Sequence, residues 1–134
     1  MACAIAAMTL SGHAAANHLE ADRSAIIQAV LNDARTRWQG PLPCISDHLI
    51  SAGTGRDTSQ RVSRSSGVKS PFAPCRSARL GDRYLAISEP IVKGDVAAVA
   101  LEYRCPLCGE GNLYSLKHRN GRWRVVGRDR SWVS

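Results

Sequence analysis

Between residues 18 and 38, "HLEADRSAIIQAVLNDARTRW", apolar positions recur with the period of an α-helix. Leu19, Ile26, Ile27, Val30, Leu31 and Ala34 fall on one stripe, and Trp38 extends it by a turn. Asn17 suits the N-cap, Glu20 lies in the first turn, and Arg35 and Arg37 place positive charge where the helix dipole favours it. Gly40-Pro41 stops the pattern.

After residue 83 the period shortens to two, the spacing of a half-buried strand. Tyr84 to Ser88 is short and apolar until Glu89-Pro90 interrupts it. Val96 to Arg104 puts Val99, Leu101 and Tyr103 on one face, and Asn112 to His118 does the same with Tyr114 and Leu116. Arg122 to Val126 turns Trp123 and Val125 inward and Arg122 and Arg124 outward. Asn120-Gly121 supplies the two positive-φ residues of a tight hairpin. That turn predicts Arg119 opposite Arg122, His118 opposite Trp123, Lys117 opposite Arg124 and Leu116 opposite Val125. The preceding hairpin is expected to set Tyr103 against Tyr114 and Leu101 against Leu116. Glu102 then shares the outer face with Lys117 and Arg124 and offsets their repulsion.

The stretch from 41 to 82 is less patterned. Cys44 to Ile50 fits a strand or a helical turn, and Gly53 to Ser70, rich in Ser, Gly, Thr and Arg, reads as a mobile loop. Phe72, with two prolines beside it, marks the return of the chain to the body near Cys75. The length of 134 residues allows one core. The expected architecture is α+β: an N-terminal amphipathic helix packed on a curved antiparallel β-sheet, a meander of three to five strands, spanning 17–134 with a flexible loop at about 53–70.

The N-terminus changes the picture. Ala2 to Leu10 is an apolar run, too short to cross a bilayer but of signal-peptide length, and Ala14-Ala15-Ala16 offers a cleavage site after Ala16. No Lys or Arg precedes Arg23, so the usual basic start is missing. The competing reading is an Ala-rich helix of a cytosolic protein. With 1–16 as a signal-peptide-like segment, the expected location is periplasmic or secreted, and the mature chain has no transmembrane segment.

Removal of that segment takes Cys3 with it and leaves Cys44, Cys75, Cys105 and Cys108. An even number in a small exported chain predicts disulfides, either Cys105 with Cys108 or each of these with Cys44 and Cys75. The alternative is zinc, because Cys105-Pro-Leu-Cys108-Gly has the form of a metal-binding knuckle. Its other ligands would be Cys75 and Cys44, or one of them with His118. A redox pair is disfavoured, since no helix follows Cys105 and Glu110 raises rather than lowers a nearby thiol pKa.

Net charge is +7, with fifteen of the eighteen basic residues Arg. Basic residues concentrate from Lys117 to Arg130, and Lys117, Arg122, Arg124 and Arg128 form a candidate anion-binding set. An exported chain meets a polyanion or another envelope component before it meets nucleic acid, which is not the expected partner. Asp47 and His48 are the only acid–base candidates, and adjacency in sequence gives them no shared task. His18 and His118, at a helix start and a strand end, read as ordinary surface or half-buried residues rather than ligands. Gly53-Thr54-Gly55-Arg56 lacks the context of a phosphate loop.

Residues 87–134 carry Ile87 to Pro90, Cys105 to Gly111, Tyr114 to Leu116, Asn120 to Val125 and Trp132 to Ser134 in that order. This C-x-L-C-G-x-G, N-G-x-W-x-V and W-V-S series resembles a group of small exported bacterial proteins of unknown activity. The helix-then-sheet order is loosely similar to cystatin-like and nuclear-transport-factor-like folds, in which the sheet wraps the helix and leaves a pocket. The expected function is therefore an exported, non-catalytic binding or structural module of the bacterial envelope. The alternatives are a zinc-knuckle protein that binds nucleic acid or another polyanion, and a small pocket enzyme of cystatin-like fold using Asp47 or His48.

Overall fold

A computed structural model describes residues 11–62, 67–76 and 83–133, with side chains from His18 onward. One helix, α1 (Ser11–Arg37), precedes eight strands: β1 (Cys44–Ile45), β2 (His48–Ile50), β3 (Asp57–Arg61), β4 (Tyr84–Ile87), β5 (Ile91–Lys93), β6 (Val96–Cys105), β7 (Cys108–Arg119) and β8 (Arg122–Val133). The class is α+β. The main sheet has six strands rather than three to five, in the order β1-β4-β6-β7-β8 with β5 also on β6. It is mixed, because β1 runs parallel to β4 while every other pair in it is antiparallel.

The helix begins before the predicted start, so Asn17 and His18 lie within it and the boundary at Ala16 falls inside it. The rest of the predicted signal segment, 1–10, is outside the described residues. Ile26, Ile27, Val30, Leu31 and Ala34 are buried as the stripe requires, whereas Leu19 is 67% exposed. Leu19 stands outside the core cluster that the rest of the stripe joins. Facing the helix are Leu85, Ile87, Ala97, Val99, Leu101, Tyr114, Leu116 and Trp123. Each buried Leu, Ile or Val contributes about 1.5 to 3 kcal/mol of transfer free energy. A hydrogen bond from the Trp123 indole to Asp22 Oδ1, 3.1 Å, fixes the helix against β8.

The last hairpin has the predicted register at all four positions. Asn120 and Gly121 have φ of 52° and 73°, the left-handed pair that a two-residue turn demands. The β6–β7 register differs. Tyr114 pairs with Val99 and Leu116 with Ala97, because the chain reverses in two residues, Pro106-Leu107, rather than in a longer tip. The facing of each side chain survives, since the slip is an even number of residues. Glu102 is carried away from Lys117 and Arg124 and instead pairs with Arg104 at 2.6 Å, so it does not relieve them. Strand β5 had only a weak signal, Ile91-Val92 before Gly94-Asp95; it continues β4 along β6 after the break at Glu89-Pro90.

The middle segment is more ordered than its composition predicts. Part of the expected 53–70 loop is β3, paired with β2. Gln28 on the helix binds the Lys69 backbone twice, accepting from its N–H at 2.6 Å and donating to its carbonyl at 2.8 Å. Phe72 is 1% exposed and Val62 6%, which completes the predicted return to the core. Sparse apolar residues suffice here because the helix and sheet have already built the surface they cover.

Candidate functional site

Two bulges in β8 determine what faces the helix. Leu116 pairs with Val125, but Ser115 pairs with Gly127, so Val126 is an extra residue. The extra residue reverses the alternation, and Arg128 and Arg130 turn to the helix side where an unbroken strand would place Gly127 and Asp129. A second extra residue, Ser131, sends Trp132 back to the outer face opposite Gly111. There its ring occupies the space a Cβ on Gly111 or Gly109 would need. Gly109 and Gly111 therefore leave the room in which Trp132 sits.

Between the end of α1 and the β6–β8 strands lies a cavity of about 250 Å³. Leu85, Leu101 and Tyr114 form its floor, and Trp38 and Tyr103 an aromatic wall. The two wall rings meet edge to face with centroids 5.2 Å apart, and Phe72 supports Trp38 from behind at 6.4 Å. The Trp38 indole donates to the Pro41 carbonyl at 3.0 Å, which fixes the ring.

Charged groups ring the opening. Asp33 Oδ2 accepts from Arg37 Nε at 3.1 Å and lies 3.7 Å from Arg128 Nη1. Glu110 Oε2 is 3.9 Å from Arg130 Nε, a loose pair. Burial pushes the Tyr114 phenol above its ordinary pKa, and the Asp33 charge adds to that. The hydrogen bond and charge of Arg128 pull the other way, as does Arg37. Asn112 lies directly opposite Arg130, and Tyr114 opposite Arg128. The Asn112 carboxamide makes no hydrogen bond within the described residues.

Other predicted residues lie elsewhere. Lys117 and Arg124 face each other on the outer side with Arg122 beside them, so the predicted anion set is split and Arg128 leaves it. Lys117 lines an open outer groove of about 500 Å³ with Lys93, Val96 and Val126. Asp47 borders a third cavity of about 260 Å³ beneath Phe72 and lies 3.8 Å from Arg61. His48 Nδ1 is 3.3 Å from the Thr58 carbonyl, and neither residue reaches the inner cavity. The His118 ring lies against Trp123 at 5.0 Å.

Among the described residues four cysteines form two pairs at disulfide distance, Cys44 with Cys75 (Cα–Cα 4.9 Å) and Cys105 with Cys108 (5.1 Å). The crossed arrangement of the two pairs is not formed. Strand β4 separates β1, which carries Cys44, from β6, which carries Cys105. The alternative zinc set of Cys44, Cys75, Cys105 and Cys108 is accordingly not assembled, and among the described residues no three His, Cys, Asp or Glu side chains converge as metal ligands.

Sequence reasoning missed the buried-side role of Arg130 and the Arg104 cluster. Arg104 Nη2 donates to the Gly55 carbonyl at 2.7 Å and to Glu102, tying the 51–56 turn to the sheet. Burial lowers its pKa, but hydrogen bonds to Tyr84 and Glu102 outweigh that and leave it raised. The sole signal was an acid and a base two residues apart on one strand face. Among the described residues no helix is long and apolar enough to cross a membrane. No protein-family model, curated protein or solved structure matches the chain.

Proposed function

We propose that the protein is an exported, non-catalytic binding module of the bacterial envelope, and that its binding element is the cavity between α1 and the sheet. The cavity carries this reading: an apolar floor, an aromatic wall held by its own hydrogen bond and a few convergent polar groups are the features of small-molecule sites. Among the described residues no acid–base pair lies in it at hydrogen-bond distance with a nucleophile, and its Tyr114 phenol stays protonated, which suits a donor in binding.

Export is supported by the two cysteine pairs at disulfide distance, since disulfides persist mainly in oxidising compartments. It is also compatible with the packing. Among the residues whose side chains are described, the helix contributes to the core cluster from Ile26 onward, beyond a cleavage after Ala16. On the outer face Lys93, Lys117, Arg122 and Arg124 give the domain attraction to polyanionic envelope components.

Expression of the full chain in a Gram-negative host tests the compartment. The expected product is periplasmic, begins at Asn17 and titrates no free thiol; a cytosolic product with an intact Met1 and free thiols refutes it. Fragment screening by NMR tests the binding element. Shifts should gather at Trp38, Tyr103 and Asn112, and gathering only on the outer face would assign binding elsewhere.

A further inference from the structure

The charges around the inner cavity do not balance. Arg37, Arg128 and Arg130 bring three guanidinium groups, and Asp33 and Glu110 bring two carboxylates. Asp33 is shared between Arg37 and Arg128, and among the described residues Arg130 is held only by the long contact to Glu110. The end of α1 adds partial negative charge, about half an elementary unit, which reduces the excess without cancelling it. Each guanidinium has five N–H donors, so Arg128 retains donors after meeting Asp33 and the Tyr114 phenol. Asn112 stands directly across from Arg130 with its carboxamide unused within the described residues, and its NH₂ adds neutral donors at the same spot.

Position matters as much as count. The donors of Arg128, Arg130 and Asn112 lie on neighbouring strands at one end of the cavity, while the Trp38–Tyr103 wall and the Leu85–Leu101 floor are apolar. A ligand that satisfies both ends is planar and apolar with one terminal negative group. The volume of about 250 Å³ is below the range for drug-sized ligands, which limits the body to about ten heavy atoms. From this geometry we infer that the cavity binds a small aromatic monocarboxylate, its ring against Trp38 and Tyr103 and its carboxylate between Arg128, Arg130 and Asn112. The inference rests on the cavity being the binding element.

Three probes of one shape separate the contributions: benzoate, its neutral isostere benzamide, and the cation benzylammonium. Binding to the full chain is followed by the NMR shifts of the Trp38 indole N–H and the Asn112 side-chain amide. Benzoate is expected to bind with Kd of about 1 mM or tighter, at least about tenfold tighter than benzamide, with benzylammonium weakest. Arg130→Gln, whose side chain is 67% exposed and unneeded for packing, should weaken benzoate several-fold and leave benzamide unchanged. Raised salt should weaken benzoate alone. If benzamide binds at Trp38 as well as benzoate does, the cavity remains the binding element and the monoanion inference fails. A preference for benzylammonium also overturns it, because Glu110 and Asp33 would then set the sign of the site. No shift at either reporter with any probe, even at about 10 mM, overturns both readings.

Discussion

Replacement of Cys44 and Cys75 by alanine removes a link that closes 31 residues of sequence. In the chain-entropy description, that loop costs the unfolded chain about 12 cal/mol/K, so the link contributes about 3.7 kcal/mol at 25 °C. The Cys105–Cys108 link has a separation of 3, and the same relation assigns it only about 1.6 kcal/mol. The difference of about 2 kcal/mol is the quantity to measure. The folded state should be locally similar without the first link, because Ile45 N–H still donates to the Ala73 carbonyl and Cys75 N–H to the Ile45 carbonyl, each at 2.9 Å. The effect therefore lies mainly in the unfolded chain. Urea unfolding of the wild type, the Cys44/Cys75 double alanine variant and the Cys105/Cys108 one provides the assay. At a slope of about 1.5 kcal/mol/M, the first variant should lose about 2 to 3 M in midpoint and the second about 1 M. Equal losses, or the greater loss at Cys105/Cys108, would refute the loop-entropy argument and place the stabilisation in local contacts at the hairpin tip.

Three further outcomes follow from the packing. Phe72→Ala should cost about 3 to 5 kcal/mol in chemical denaturation, because the ring is buried behind Trp38; a loss below about 1 kcal/mol would show that the middle segment does not share the core. Gly111→Ala should cost about 1 to 3 kcal/mol by displacing the Trp132 ring, and most of the cost should vanish in a Trp132→Ala background; an unchanged cost there would put its cause in Ser131, whose Oγ is 2.8 Å from the added Cβ. The Tyr114 phenol has a folded pKa above its unfolded value near 10, so its contribution is complete below pH 10 and is lost as pH rises through the folded value. Wild-type stability should thus fall more steeply than that of Tyr114→Phe as pH rises above about 10, and parallel curves would contradict the raised pKa.

The helix and the last hairpin could be read directly because their determinants are local. An apolar period of 3.6 residues fixes which helix face is buried, and Asn120-Gly121 fixes the hairpin by backbone sterics alone. The α+β class follows from these two elements. Leu19 belonged to the stripe yet lies exposed, since periodicity specifies a face but not how far along it the core extends.

The cavity was not legible in the sequence, for a physical reason. A strand read at period two places Trp123 and Val125 inward and then Gly127 and Asp129, and nothing in "RVVGRDRS" marks Val126 and Ser131 as extra residues. Those bulges appear only in the pairing of β8 with β7, where the register shifts at Ser115/Leu116 and at Gly111/Asn112. The same cause explains Glu102, whose partner depended on where the β6–β7 chain reversed. The cysteine pairing is of this kind too: the sequence left the crossed arrangement open, and the position of β4 between the two pairs excludes it. By itself the sequence determined which faces are apolar and where the backbone turns, because those are properties of neighbouring residues. Only the tertiary structure decided that Arg128 and Arg130 point into a cavity beside Trp38, because that depends on the registers of three strands at once.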